Sequence, residues 1–287
     1  MVEFIRKFPT TLGILISSLV FLSIGLLFKG QGFTENNSQL LSASSFLFGI
    51  FVAFSIANNH SKLSKVNETL KEDEAILLSV YELSSSFGEN VKNKVRNLID
   101  NYLIDQIDYY LWDFKYSYKT FIALHRFLNT LEAKTKTQEA PRIHILGLMS
   151  ESFKNRKVVE TYSQEKMWTF EWTSILILLG LIIFIVLKSN DGTYTSIILS
   201  TLLLSSAIIL VFVLRDLNNL RWKEKTLIWE PLDNLFHALD LLPYYPKGIV
   251  KSKRAKIKKG EKIRLASYPD PYPDMTHKKV EIVVYGK

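Results

Sequence analysis

The chain has no cysteine among its 287 residues, which excludes a disulfide framework, a thiolate metal centre and a cysteine nucleophile. Its five histidines, His60, His125, His144, His237 and His277, form no close pair and no H-E-x-x-H. G-x-S-x-G, Walker A and G-x-G-x-x-G runs are missing as well, so the motif-bearing hydrolases and nucleotide-dependent enzymes are not indicated. Neither enzymatic activity nor a cofactor is expected. Proline is scarce, with Pro141 alone between residues 58 and 167, a composition suited to long helices. The most informative shortage is of charge, which is almost absent from four extended runs.

These runs are Thr10 to Phe28, Leu40 to Ala57, Trp172 to Leu187 and Tyr194 to Leu214. At about 1.5 Å per residue each approaches or reaches the roughly 30 Å of a bilayer's hydrocarbon layer. Trp168 and Trp172 stand where an interfacial anchor belongs, and Glu171 marks the edge of the third run. Ser200, Thr201, Ser205 and Ser206 are candidate small interface residues in the fourth. Short polar loops, Lys29 to Gln39 and Lys188 to Thr193, join the runs in pairs, and Asp191-Gly192 is a turn signal. Each pair therefore reads as a membrane hairpin, and a proton-coupled transporter is disfavoured because no charge lies inside the spans.

Of the 36 Lys and Arg, 34 lie outside the two hairpin loops. By the positive-inside bias the loops face out, and both termini and the central segment are cytoplasmic. Arg6 and Lys7 ahead of the first run read as a signal anchor, since no small-residue cleavage site follows Phe28. The expected organisation is a first transmembrane hairpin at 1–57, a cytoplasmic helical region at 58–167, a second hairpin at 168–214 and a C-terminal region at 215–287 with a basic tail. The fold class is an all-α membrane protein with four transmembrane helices in two hairpins, a helical extension and a small β-containing tail.

Residues 58–167 carry 16 basic and 15 acidic side chains. Leu63, Val66, Leu70, Leu77 and Tyr81 fall at helical spacing, so the second span is expected to continue as a helix, with Gly88 as its stop. Further amphipathic patterns run through Val91, Val95, Leu98, Tyr102, Leu103, Ile107, Tyr110, Leu111 and Phe114, and through Phe121, Leu124, Phe127, Leu128 and Leu131. Pro141 is expected to begin another helix, carrying Ile143, Leu146, Met149, Phe153 and Val158 straight into the third span. Beyond Leu214, the Trp and Tyr of Trp229, Tyr244 and Tyr245 suit docking on these helices or at the membrane surface. Lys262 to Tyr268 and Val280 to Tyr285 look strand-like, with a turn or extended loop across Pro269 to Asp274.

Three groups are candidate functional residues. Leu47, Ile50, Phe51, Phe54 and Asn58 share one stripe of the second span; around a symmetric oligomer they would form an apolar constriction with a polar mouth, and in a monomer they would be a packing face. Glu72, Asp73 and Glu74, with Asp100, Asp105, Asp108 and Asp113 further on, are either a solvated face paired with lysines or ligands for a hard cation such as calcium. Lys251, Lys253, Arg254, Lys256, Lys258 and Lys259 belong to a stretch with nine basic residues and one acid between Lys247 and Arg264. They suit anionic lipid headgroups or the solvated faces of a strand pair. No nucleic-acid reading module accompanies them, so nucleic acid is not an expected partner.

The layout resembles the bacterial bestrophin-like domain family. The likeness rests on two hairpins flanking a charged helical segment, and on the aromatic-rich Phe46-Leu47-Phe48-Gly49-Ile50-Phe51-Val52-Ala53-Phe54 leading to Glu74-Ala75 and Tyr81-Glu82-Leu83. It covers about Leu40 to Leu214; a tryptophan common in that family is replaced here near His60. The resemblance implies a homo-oligomeric, typically pentameric ion channel lined by the second span, in a bacterial inner membrane. Ile50, Phe51 and Phe54 would then form the constriction and Asn58 its mouth. The alternative is a non-conducting scaffold, or a signalling or defence protein, recruiting partners through its cytoplasmic helices and basic tail.

Overall fold

The computed structural model describes residues 10–32, 34–109, 113–220 and 225–286. Arg6, Lys7, Tyr110, Leu111 and the Phe114 side chain, all used in the sequence reading, lie outside the described part. The chain divides into two compact units, Met1–Ser61 with Lys166–Trp222, and Lys62–Glu165 with Lys223–Lys287. One helix, α2 (Glu35–Ser84), contributes to both.

In the first unit, α1 (Thr10–Leu27), the N-terminal part of α2, α6 (Thr169–Lys188) and α7 (Tyr194–Asn218) enclose an apolar core of Phe21, Phe48, Val52, Ile175, Leu179, Ile182 and Leu204. Among the described residues, three helical stretches, Glu35–Phe87, Lys136–Lys188 and Tyr194–Asn218, hold windows long and apolar enough to cross a membrane, and Leu12–Leu27 is a shorter apolar helix. α1 lies against α7, where Ser18 Oγ donates to Ser205 Oγ at 2.9 Å. A hydroxyl pair of this kind satisfies both groups where no water competes.

The loops joining the helices knit together at one end of this unit. Asn190, almost fully buried, donates through Nδ2 to the carbonyls of Gly25 and Phe28, capping the last turn of α1, while its Oδ1 accepts from Gly192 N–H. Gly30 N–H donates to Asn190 O and Gln31 N–H to Lys188 O. This approach is so close that a Cβ on Gly30 would run into the main-chain carbonyls of Lys188 and Leu187. Gly30→Ala is therefore expected to lower the thermal midpoint of the detergent-purified protein, at a cost of about 1–3 kcal/mol for forced repacking. An unchanged midpoint would mean that the two loops are not in contact.

The second unit is built on the rest of α2, a short 3₁₀ turn at Ser85–Phe87, α3 (Glu89–Asp108), α4 (Phe114–Asn129), α5 (Lys136–Gln164), α8 (Glu230–Ala238) and a three-stranded sheet. Gly88, with φ of 99°, breaks the helix at the position read from the sequence, in a conformation a side chain would strain. Leu63, Val66, Leu70, Leu77 and Tyr81 are all buried, as their spacing predicts.

α5 departs from expectation at both ends. It starts at Lys136, five residues before Pro141, which is accommodated inside the first turns. Thr135 is its N-cap residue, with no side-chain bond to the helix's free N–H groups; Gln138 Oε1 instead reaches back to accept from Lys134 N–H at 2.9 Å. Nor does α5 lead straight into the third apolar run. Glu165 and Trp168 are extended, and Asn218 holds the break by accepting from Met167 N–H and, through its carbonyl, from Lys166 Nζ.

The sheet has the order β1-β2-β3, with β1 (Tyr244–Pro246) parallel to β2 (Lys262–Ser267) and β2 antiparallel to β3 (Lys279–Val284). β2 and β3 match the expected strands. β1 was not foreseen, because a three-residue strand that itself ends in a proline carries no readable period. Trp229, Tyr244, Tyr245, Ile263 and Ala266 enter one core with Tyr81, Ile99, Leu103, Phe121, Leu128 and Met149, so the aromatic C-terminal segment docks on the helices of its own unit.

Candidate functional site

The stripe singled out on the second helix is open to the surroundings of the chain. Leu47, Ile50 and Phe51 are exposed, Phe54 is 73% exposed, and Asn58 is exposed at the end of the row. Ser44, Phe48, Val52 and Asn59 are buried instead. At about 100° per residue the two groups point roughly a quarter to a third of a turn apart. One side of α2 is thus committed to its own unit, while the neighbouring side presents two phenylalanines and two aliphatic residues to whatever adjoins it. Asn59, on the committed side, returns its Nδ2 hydrogen to Ser55 O at 2.8 Å.

Exposure of this kind is general in the first unit. Leu19, Leu27, Phe46, Phe170, Ile177, Phe184, Leu199 and Leu202 are all more than half exposed, as is Trp168 at the start of α6. Apolar exposure on this scale is unfavourable in water and suits a surface covered by hydrocarbon or by another protein.

The acidic candidates are dispersed by the helix that carries them. Consecutive helical residues point about 100° apart, so Glu72 faces solvent, Asp73 turns inward and Glu74 is half-buried; the three do not converge on one ligand. Burial, chiefly, pushes the Glu74 carboxyl up, opposed by a hydrogen bond from Asn234. Asp73 accepts from Ser152 Oγ at 2.5 Å. Burial raises its carboxyl from 3.8 to about 7 against the opposing pull of the Ser152 hydrogen bond and the Arg156 charge.

Arg156 was not foreseen. Only 3% exposed, it lies among the rings of Tyr102, Tyr118 and Phe121 at 5.3–5.6 Å and donates from Nη2 to Ser117 Oγ at 3.1 Å. Its neighbour Tyr102 is fully buried and accepts from Gln106 Nε2 at 2.6 Å. The sequence signal lies in register: Ile145, Met149, Ser152, Arg156 and Val159 form the buried face of α5, at spacings of three and four. The expected face of Ile143, Leu146, Met149, Phe153 and Val158 is rotated from this, and Ile143 is 69% exposed.

The aspartates of α3 are not a solvated face. Arg264 from β2 grips Asp100 with both guanidinium nitrogens at 2.6 and 2.7 Å, the planar two-point pairing that arginine makes best. Asp108, buried, accepts from Tyr244 OH, Tyr268 OH and Lys278 Nζ at 2.5–2.6 Å. Asp113 accepts from Tyr272 OH. Both Asp108 oxygens are thus occupied by protein donors. α3 is the acidic rail on which the C-terminal segment seats its hydroxyls and cations.

The basic stretch has a mixed character. Lys251, Lys253, Lys256, Lys258 and Lys259 are exposed and Arg254 is partly buried, while Ala255 and Ile257 turn inward against the core. The result is a lysine-rich edge on a well-anchored segment.

The bestrophin-like domain matches residues 10–220, which takes in all four apolar helices and the helices between them. The chain belongs to the bestrophin-like family. It is accordingly a membrane protein, in keeping with the exposed apolar side chains of the first unit. No curated protein and no solved structure matches the chain significantly. The bestrophin-like match ends before α8 and the sheet, so the acidic rail belongs to the matched region, whereas Arg264, Tyr244, Tyr268 and Lys278 that occupy it do not.

Proposed function

We propose that this bestrophin-like chain forms a homo-oligomeric ion channel, a pentamer, whose pore is lined by α2. The observation that carries the reading is the exposed row of Leu47, Ile50, Phe51, Phe54 and Asn58, on a helix whose adjacent face is packed into its own unit. Placed around a common axis, the row is a narrow apolar throat ending in a ring of amides, an arrangement that gates by expelling water. All four apolar helices span in this reading, α1 with α2 and α6 with α7 as hairpins. Both termini and the second unit lie on the cytoplasmic side of a bacterial inner membrane, in line with the scarcity of cations in the hairpin loops. The exposed lysines between Lys251 and Lys259 are suited to anionic headgroups at that surface.

Oligomeric state is the first test. The protein extracted in mild detergent is expected to sediment as a five-fold assembly, and reconstituted vesicles are expected to pass ions down a gradient. A monomer without flux would overturn the channel and leave a non-conducting scaffold in its place.

A further inference from the structure

A cluster of three ligating side chains lies in the second unit, outside the bestrophin-like match. Asp233 and His237 stand one turn apart on α8, the spacing that puts two side chains on one helix face. Glu261, in the turn that opens β2, closes on them. His237 Nε2 is 3.0 Å from Glu261 Oε1 and 3.7 Å from Asp233 Oδ2, and the three ligand atoms all lie within 4.8 Å of one another.

The surroundings aim these atoms inward. Tyr245, buried in the core, donates from its hydroxyl to Asp233 Oδ1 at 2.6 Å. The Lys258 main-chain N–H donates to Glu261 Oε2 at 3.0 Å. Each carboxylate therefore has its outer oxygen held by a group outside the trio and its inner oxygen turned toward the imidazole. Outer partners that orient ligating carboxylates in this way are the usual supports of a metal site. The site is enclosed on the carboxylate side, where Asp233 and Glu261 are about one-fifth exposed or less, and open at the half-exposed His237. Burial, chiefly, pushes the Asp233 carboxyl up, and the Glu261 charge adds to this; the Tyr245 hydrogen bond, His237 and Lys258 oppose it.

We propose that Asp233 Oδ2, His237 Nε2 and Glu261 Oε1 bind one divalent cation of the borderline class, zinc above all, with water as a fourth ligand. A tetrahedral zinc at about 2.0–2.1 Å from each ligand sets them roughly 3.3–3.4 Å apart, close to the 3.0 and 3.7 Å that separate His237 Nε2 from Glu261 Oε1 and Asp233 Oδ2. Two carboxylates also balance the ion's charge. Calcium, which takes six to eight oxygens, is poorly served by a trio that includes an imidazole. The bound ion would tie α8 to the start of β2 and so fix the segment that docks on the acidic rail of α3.

The test uses the full-length, tag-free protein in detergent, stripped with chelator and titrated with zinc chloride by calorimetry. One equivalent is expected to bind. His237→Ala and Glu261→Gln should each weaken it at least tenfold, and Tyr245→Phe, which removes an outer support, by roughly 10–100-fold. His277→Ala is the control, because His277 pairs with Asp270 elsewhere and is exposed; its affinity should be unchanged. Cobalt in place of zinc should give the visible absorption of a four-coordinate site, lost in His237→Ala. His237 is half-exposed, so this variant is expected to keep its far-ultraviolet circular dichroism. Absence of stoichiometric zinc binding, or binding indifferent to His237→Ala in a folded variant, would overturn the proposal.

Discussion

Replacing Arg156 by methionine is expected to destabilise the chain by about 1–3 kcal/mol, the cost of leaving buried hydrogen-bonding groups without their partner. Methionine keeps much of the volume, so the loss reports the guanidinium itself: its position among three aromatic rings and its hydrogen bond to Ser117. The same change removes one of the two influences that hold the Asp73 carboxyl down and should raise its proton affinity further.

Asp73 gives the complementary result. Its carboxyl holds a proton to about pH 7 in the folded chain, against an ordinary 3.8, so folding takes up a proton. The favourable contribution is complete below the ordinary value and is lost as pH rises through about 7. At about 1.4 kcal/mol for each tenfold change in proton affinity, the difference amounts to roughly 4 kcal/mol. Asp73→Asn mimics the protonated carboxyl and still accepts from Ser152. It should flatten this part of the stability profile and leave the protein no less stable than the parent at pH 8. Denaturant midpoints at pH 5, 6, 7 and 8 check both variants. A parent profile as flat as that of Asp73→Asn would contradict the buried-acid assignment.

The second large effect concerns conduction. Phe54→Ala is expected to raise basal flux through reconstituted vesicles by tenfold or more. Each truncated ring removes apolar surface worth about 1.5–3 kcal/mol against wetting, and every 1.4 kcal/mol taken from a barrier is tenfold in rate. Asn58→Asp, which puts a ring of negative charge at the mouth of the same throat, should shift permeation toward cations. Leu199→Ala is the contrast. Leu199 is 62% exposed on α7, outside the proposed throat, and its truncation should leave flux unchanged.

Much of the architecture was legible because the decisive patterns are local. Absence of charge over a span's length marked the apolar helices, the spacing of Leu63 through Tyr81 marked the buried face of α2, and Gly88 marked its end. Period-two segments marked β2 and β3. What was not legible depends on pairs far apart in sequence. Ser152 and Arg156 interrupt the apolar face of α5, so a count of hydrophobic residues rotates that face toward Ile143; their partners, Asp73, Tyr102 and Ser117, lie on three other helices. Asp100 and Asp108 look like solvent-exposed charges until Arg264, Tyr244, Tyr268 and Lys278 are brought against them by the C-terminal segment. Proline's preference for a helix's first turn points to a start at Pro141, whereas the helix begins at Lys136 and carries Pro141 inside it. The exposed row on α2 could be located from sequence, since its residues share one stripe.

The absence of native cysteine makes the most direct measurement simple. A single thiol at Phe54→Cys, in otherwise unaltered protein reconstituted into vesicles, is expected to react with a charged, water-soluble thiosulfonate reagent and to lose ion flux as it does so, while Leu199→Cys remains unreactive behind lipid. A Phe54→Cys thiol that the reagent never reaches, or that reacts without any change in flux, would contradict a pore lined by the second helix.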